Sequence, residues 1–133
     1  MNKPHFLCIA PSDRRLMQSR FPGTRRTIIC DSETPTTHLV AGVVELLEPG
    51  CIINMHYHSV EELQYIVSGS GVVRDGEGNE YPVSPGTSVY CAPGAQGAHE
   101  FQNCGQEPLV ILFAFPVPGG HFPQITRVAE REN

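Results

Sequence analysis

Glycine and proline divide the chain into short segments, and this division limits the folds open to it. The 133 residues include 13 glycines and 12 prolines, and helical periodicity is weak. The segments between them are short, apolar or alternating, as β-strands are. They include "RRTIICD", "HLVAGVVELLEPG", "CIINMHYH", "LQYIVSG", "TSVYCAPG" and "PLVILFAFP". Many short strands at this spacing predict an all-β sandwich or a small closed barrel, and the length suits one domain.

Three local patterns refine this prediction. The segment "VVRDGEGNEYPV" predicts a hairpin with Asp75-Gly76 and Gly78-Asn79 at its tip. The segment "PSDRRLMQSRF" predicts one short N-terminal helix, with Ser12 as its cap. The final residues, "RVAEREN", predict a frayed polar tail.

The charge of the chain argues against non-specific binding to nucleic acid, which requires a basic surface. The net charge is -5 and the isoelectric point is near 5.6. One basic run extends from Arg14-Arg15 to Arg25-Arg26. We interpret this run as solvated surface in preference to an anion site.

The remaining composition predicts a cytoplasmic protein. The N-terminus has no apolar run typical of a signal peptide, and no segment approaches the ~20 apolar residues of a membrane helix. The five cysteines form no C-x-x-C pair, so we interpret them as reduced thiols. Cys51 and Cys91 lie in apolar runs and are expected to pack.

The segment from Gly50 to Gly69 carries the strongest chemical signal. His56 and His58 are two residues apart on a strand, so they face the same side. Glu62 opens the next strand, and pairing of the two strands as a hairpin would bring its carboxylate to both imidazoles. His99 begins another strand, "HEFQN", after a Gly/Pro-rich turn. Such ligands suit one divalent transition metal (Fe, Mn, Ni, Zn or Co) with coordination positions left open.

The same strand parity predicts further residues of a substrate pocket. Gln64 lies two residues after Glu62 and is expected to point inward, where it either contacts substrate or satisfies a backbone group. Asn54 lies two residues before His56 and is expected deeper in the same interior. Tyr57 and Tyr65 have the opposite parity and are expected outside.

Three further residues are candidates for the pocket. Phe101 follows His99 at the same parity. Tyr90 is either a pocket acid or a packing aromatic. His121 follows Gly119-Gly120 and is either a lid group near the barrel mouth or a solvent-exposed loop residue.

The spacing of these motifs resembles two signatures of the cupin superfamily. Gly50, five residues, His56, one residue, His58, three residues, Glu62, six residues and Gly69 resemble the first at every fixed position. The second is matched by Gly86, His99 and Asn103, with Ala92 in place of a proline and two additional residues before the histidine. The segment between the signatures is short, as in small microbial cupins.

The resemblance implies a cupin-type antiparallel β-barrel, also called a double-stranded β-helix or jelly roll, with a metal in its mouth. Its ligands would be His56, His58, Glu62 and His99. We expect one cupin domain over residues 1–133, in which residues 39–118 form the barrel core. Residues 1–38 form an extension and a possible dimer arm. Such proteins usually form homodimers by sheet extension, and "RRTIICD" could supply the strand.

Three functional classes remain open, all with a small-molecule ligand. A non-haem dioxygenase is preferred, with Glu62 as base and Gln64 as a second catalytic candidate. A non-redox lyase, decarboxylase, isomerase or cyclase is the first alternative. Small polyketide cyclases and dimethylsulfoniopropionate lyases look similar, although the lyases would have a tyrosine at position 64. A non-catalytic ligand-binding cupin is the second alternative.

Overall fold

The computed structural model describes residues 6–34 and 38–128. Within these ranges the chain forms eleven strands in two antiparallel sheets. The strands are β1 (Arg15–Met17), β2 (Thr24–Cys30), β3 (Leu39–Leu46), β4 (Ile52–Tyr57), β5 (Glu62–Ser68), β6 (Gly71–Asp75), β7 (Glu80–Val83), β8 (Ser88–Cys91), β9 (His99–Asn103), β10 (Leu109–Pro116) and β11 (Thr126–Arg127).

The strand order shows that consecutive strands often lie in different sheets. The six-stranded sheet has the order β1-β2-β3-β10-β5-β8, and the five-stranded sheet has the order β11-β4-β9-β6-β7. This arrangement confirms the predicted all-β, cupin-type fold. The predicted hairpin is also present as β6 and β7, in which Arg74 pairs with Glu80.

The core lies between the two sheets because inward residues alternate with outward ones along each strand. On β5 and β10, Ile66, Leu109 and Ile111 are buried, and they pack with Val73 and Phe101 of the other sheet. A second buried cluster contains Phe113 and Phe115 of β10 with Ile28 and Val40. The inward face of β10 therefore changes from aliphatic to aromatic along its length.

Two motif glycines have a backbone reason to be glycine. Gly50 and Gly69, at the ends of the β4–β5 segment, have φ angles of 84° and 85°. Side chains rarely adopt this left-handed conformation. A Cβ atom on Gly69 would also lie 2.4 Å from the carbonyl oxygen of Pro108.

The structure corrects the predicted N-terminal helix. Pro11–Asp13 form only a single 3-10 turn without a side-chain cap, and Ser12 lies inside it. The chain then forms β1, which gains backbone partners on β2, with Leu16 opposite Thr27. The segment "RRTIICD" supplies β2, which has β1 on one side and β3 on the other.

The C-terminal segment is also more ordered than predicted. Thr126 and Arg127 form β11, which pairs with Tyr57 and His56 of β4. The rest of the predicted frayed tail, residues 129–133, lies outside the described residues. No helix in the described part of the chain has the length and apolar character needed to cross a membrane.

Candidate metal centre

Four buried polar side chains meet between the two sheets. His56 lies near the end of β4 and His58 directly follows this strand, whereas His99 is the first residue of β9, directly opposite His56. Glu62 is the first residue of β5 in the other sheet. The predicted β4–β5 hairpin is therefore wrong, because β5 pairs with β8 and β10. The carboxylate reaches the imidazoles across the interior.

The potential ligand atoms of these four residues lie within 4.8 Å of one another. Glu62 Oε1 is 3.2 Å from His99 Nε2 and 3.6 Å from His58 Nε2. All four residues are almost fully buried, with exposures of 4 to 6%. A buried carboxylate and three imidazoles in this arrangement are costly without a compensating charge.

Each imidazole is oriented by a backbone carbonyl. The Nδ1 atoms lie 2.7 Å from Asn54 O for His56, 3.2 Å from Gln124 O for His58 and 2.8 Å from Gly97 O for His99. Because a carbonyl only accepts, each Nδ1 must carry the hydrogen. The Nε2 atoms are then available as ligands, as in metal sites with an outer shell of carbonyls.

Burial and mutual proximity set the proton distribution at the site. Burial, followed by the proximity of His99, lowers the pKa of His56 to about 3. Burial also lowers the pKa of His58. For His99, burial favours the neutral form, but contacts with Cys91 and Glu62 outweigh it and raise the pKa to about 10. Without a metal, His99 is therefore the one imidazole of the three that is protonated at neutral pH.

The donor set fits a divalent transition metal. Glu62 Oε1 is fully buried and has no hydrogen-bond partner of acceptable geometry among the described residues, although His99 is at ion-pair distance. A cation would satisfy this oxygen. Three imidazole nitrogens and one carboxylate oxygen are ligands that several divalent transition metals accept. The residues fit a cupin metal site, and they do not select one metal.

The longer turn before His99 is compatible with this arrangement. Ala95–Gly97 form a 3-10 turn. The chain packs tightly there, because a Cβ atom on Gly97 would lie 1.8 Å from Ala92 O. Gly94 N donates a hydrogen bond of 2.7 Å to His58 O. The turn thus accommodates the two additional residues. It also supplies the carbonyl of Gly97, which orients His99.

A small cavity of about 50 Å³ adjoins the four ligands. Its walls are mostly apolar and include the phenylalanines Phe21, Phe101, Phe113, Phe115 and Phe122. Besides the ligands, the polar side chains that line it are Ser19, Arg26 and Gln64. A cavity of this size and polarity suits a small molecule with few polar groups.

Gln64 faces the cavity, as its strand parity predicts. Its side chain is 3% exposed, and its Nε2 atom lies 3.1 Å from His99 Nε2. Its Oε1 atom accepts a contact of 3.5 Å from the Cys91 thiol. Gln64 therefore contacts a ligand without being one itself. Phe101, which is 2% exposed, also lines the cavity.

The prediction that Asn54 faces the interior is wrong. The pairing of β4 with β9 shifts register between Ile53 and His56. This β-bulge adds one residue, so Ile53 takes the inward position and lines the cavity instead. Asn54 contributes only its backbone carbonyl, to His56.

Tyr90 and His121 also lie outside the cavity lining. Tyr90 is 64% exposed, and its hydroxyl donates to Glu61 Oε2 over 3.3 Å. It lines a separate depression of about 280 Å³, which His99 also lines. His121 is exposed, and the next residue, Phe122, lines the cavity.

Arg26 is the most informative residue that the sequence interpretation missed. Its place in the basic run predicts a solvated surface position, but it is 9% exposed and lines the cavity. Strand parity was the available signal, because Arg26 alternates with the buried Ile28 on β2. The same alternation could have identified Phe113 and Phe115. Phe21 and Phe122 lie outside the strands, where no such pattern exists.

Comparison with known proteins identifies relatives of the central part of the chain. The chain is 37% identical over 73 residues to a glucose-6-phosphate isomerase of Thermococcus onnurineus (strain NA1), covering 50% of this chain and 38% of that protein. It is 35% identical over 85 residues to an oxalate decarboxylase of Arthroderma benhamiae, covering 61% of this chain and 20% of the relative. The chain thus spans well under half the length of either protein.

A similar solved structure is that of the polyketide cyclase RemF from Streptomyces resistomycificus. The TM-score is 0.78, and the match covers 96% of this chain and 88% of that one. At 21% sequence identity, this likeness concerns the fold. The family model described as "Cupin domain" matches residues 43–115, which is more than half of the chain. This segment includes all four candidate ligands, and we conclude that the chain belongs to the cupin family.

Proposed function

We propose that the protein is a metal-dependent enzyme that converts a small oxygenated molecule without net oxidation, by isomerisation, decarboxylation or cyclisation. The observation that carries this proposal is the convergence of three imidazole Nε2 atoms and Glu62 beside a small cavity. Each imidazole is oriented by a backbone carbonyl, which is the preorganisation that a catalytic site requires.

The bound metal would supply a Lewis acid for a carbonyl or hydroxyl oxygen of the substrate. The protein supplies the other functions. The histidines and Glu62 would hold the ion, and Gln64 is placed to donate its amide hydrogen to a substrate oxygen next to His99. The phenylalanine walls make the lining mostly apolar, which strengthens polar interactions within the cavity. Among the described residues that line the cavity, Glu62 is also the one carboxylate, so it is the candidate base.

The relatives favour this chemistry over the dioxygenase preferred from sequence. Their names describe an isomerase, a decarboxylase and a cyclase. A dioxygenase remains the second candidate, because the phenylalanine-rich walls would suit dioxygen, an apolar molecule. A non-catalytic ligand-binding cupin is the third possibility, although all four ligands are present.

Elemental analysis of protein purified without chelator is the first test, and one equivalent of a divalent transition metal is expected. Small hydroxy acids, diketones and catechols are then screened with and without oxygen. Conversion under anaerobic conditions would support the non-redox proposal. Turnover that requires stoichiometric oxygen uptake would support the dioxygenase instead. Tight binding of a screened compound with no turnover in either atmosphere would indicate a ligand-binding protein.

We also propose that the protein forms a homodimer through the outer face of the six-stranded sheet. Leu63, Tyr65 and Val67 alternate along β5 and are 54%, 44% and 49% exposed. Light scattering should give a dimer for the wild type and a smaller species for Leu63→Glu. A wild-type monomer at micromolar concentration would contradict this proposal. Dimerisation by β2 is less favoured, because β1 occupies its outer edge.

A cytoplasmic location is proposed from the cysteines. All five are free thiols in the structure. Free thiols persist in reducing compartments. Titration of denatured protein purified without reductant should find five thiols, and a stable disulfide would argue against this location.

A further inference from the structure

We propose that Arg26 binds the carboxylate of the substrate, so that the cavity takes a small carboxylic acid whose second oxygen faces the metal site. This inference rests on the proposed function, because it names the substrate class for the same cavity.

The environment of Arg26 is unusual for an arginine. The residue is 9% exposed and lines the apolar cavity. Its Nη2 donates to Gln18 O over 2.7 Å, but its Nε is buried without a hydrogen-bond partner among the described residues. No salt bridge joins it to an acidic residue in residues 6–34 or 38–128. Desolvation, followed by the charge of Arg20, lowers its pKa.

A buried, unpaired guanidinium is destabilising unless an anion compensates it. The neighbouring residue shows the contrast on the same strand. Arg25 points outward, is well exposed and lies 3.9 Å from Glu45. An arginine that served only solubility would have no reason to occupy the inward position of β2. A ligand carboxylate would accept a hydrogen bond from Arg26 Nε, and its negative charge would also compensate the positive charge of the guanidinium.

A continuous row of aromatic rings connects Arg26 with the metal ligands. The guanidinium lies over the ring of Phe122, 4.6 Å from its centroid. The Phe122 ring is 5.3 Å from that of Phe115, and the Phe115 ring is 4.7 Å from the imidazole of His58. One wall of the cavity therefore leads from the cation to the ligands.

The size and charge of the cavity favour a carboxylate over a phosphate. Arg26 is the one arginine or lysine among the residues that line it. A planar guanidinium matches the two oxygens of one carboxylate, whereas a phosphate ester carries more negative charge and three acceptor oxygens. The accessible volume of about 50 Å³ also limits the ligand to a few heavy atoms beyond the ion.

The test uses pyruvate, which has a carboxylate and a neighbouring carbonyl oxygen, and its uncharged amide, pyruvamide. Calorimetric titration of the metal-loaded protein should give an affinity for pyruvate that falls about 10- to 100-fold in Arg26→Met, the loss of one charge-assisted hydrogen-bonded pair. Arg26→Lys should lose less, because it keeps the charge. Arg25→Met, which changes the same charge on the outer face, should bind pyruvate as the wild type does. Pyruvamide should bind weakly to all four proteins.

Equal affinity of the wild type and Arg26→Met for pyruvate, or no binding of pyruvate to the wild type, would overturn the inference. Inorganic phosphate that binds more tightly than pyruvate in an Arg26-dependent manner would overturn the carboxylate assignment. Metal content is measured for every variant and should be unchanged. A wild type that binds pyruvate through Arg26 but holds no metal would contradict the proposed function and leave the role of Arg26 standing.

Discussion

Glu62 Oε1 lies 3.2 Å from His99 Nε2, although the two residues belong to opposite sheets. Both are the first residues of their strands, and both are buried. A contact between a carboxylate and an imidazole across a β-sandwich depends on the packing of the whole interior. The four-ligand arrangement is therefore a property of the complete fold and not of one motif.

His58→Ala should abolish one-to-one metal binding, because it removes one of three imidazole nitrogens that face Glu62. The barrel should persist, since the core clusters do not include this residue. Elemental analysis and circular dichroism test both expectations. His121→Ala is the matched control, because this histidine is exposed and should leave the metal content unchanged. Stoichiometric metal in His58→Ala would contradict the ligand assignment.

Metal binding near pH 7.5 should release about one proton per ion. His56, with a pKa of about 3, is already neutral, whereas His99, with a pKa of about 10, must lose its proton before it can bind a metal. Calorimetry in two buffers of different ionisation enthalpy measures the number. A wild type that releases no proton on binding the metal would show that His99 is neutral beforehand.

The metal-free protein should be most stable near pH 6.5, the ordinary pKa of histidine. Below pH 6.5, His56 takes up a proton in the unfolded chain, but in the folded chain it stays neutral until about pH 3. The stability of the fold therefore falls as the pH is lowered. Above pH 6.5, His99 loses its proton in the unfolded chain but keeps it in the folded chain until about pH 10. The stability of the fold therefore falls as the pH is raised towards 10. Urea unfolding between pH 4 and pH 9 tests this, and stability that keeps rising above pH 7.5 would contradict it.

Gln64→Ala should keep the metal and lower the turnover of any substrate found by the screen about tenfold, the effect of one lost hydrogen bond. Gln64 contacts His99 but is not a ligand. The decrease should be in kcat more than in KM if the amide acts on the reacting oxygen. Gln96→Ala, on the exposed turn, is the control. Unchanged kinetics would assign Gln64 a packing role.

Asn103→Ala should lower the free energy of unfolding by about 3 kcal/mol, because it leaves several buried groups without partners. The amide nitrogen donates to Leu46 O, Glu48 O and Glu107 O, and the side-chain oxygen accepts from Gly105 N. Gln106→Ala, exposed in the bend that follows β9, should change the free energy of unfolding by less than about 0.5 kcal/mol. Urea denaturation distinguishes the two, and equal stabilities would show that these hydrogen bonds contribute little.

The fold and the four ligands could be predicted because they depend on short-range patterns. Turn residues and strand alternation follow from the backbone, and the spacing of His56, His58 and Glu62 survives in the structure. The spatial relation of β4 and β5 could not be predicted in this way. Two strands joined by a short turn suggest a hairpin, but here each strand finds its partners in a different sheet.

The pocket was predicted less well, for two physical reasons. The bulge after Ile53 shifts the alternation of inward and outward side chains on β4. Ile53 therefore faces the cavity, where the alternation alone predicts Asn54. Arg26 was judged by its charge and by the basic residues near it, whereas its position on β2 decides its burial. Charged side chains usually face solvent. The burial of Arg26 can therefore be recognised only when the residues across the cavity from it are known.

The residues around the cavity divide into two groups along the chain. The ligands all lie within the family-matched residues 43–115, whereas Ser19, Phe21, Arg26, Phe122 and Ile125 lie before or after them. On the proposed function, proteins that share the central segment would hold the same ion and still select different compounds. Exchanging the flanking segments between such proteins is a direct route to new specificity on an unchanged metal site.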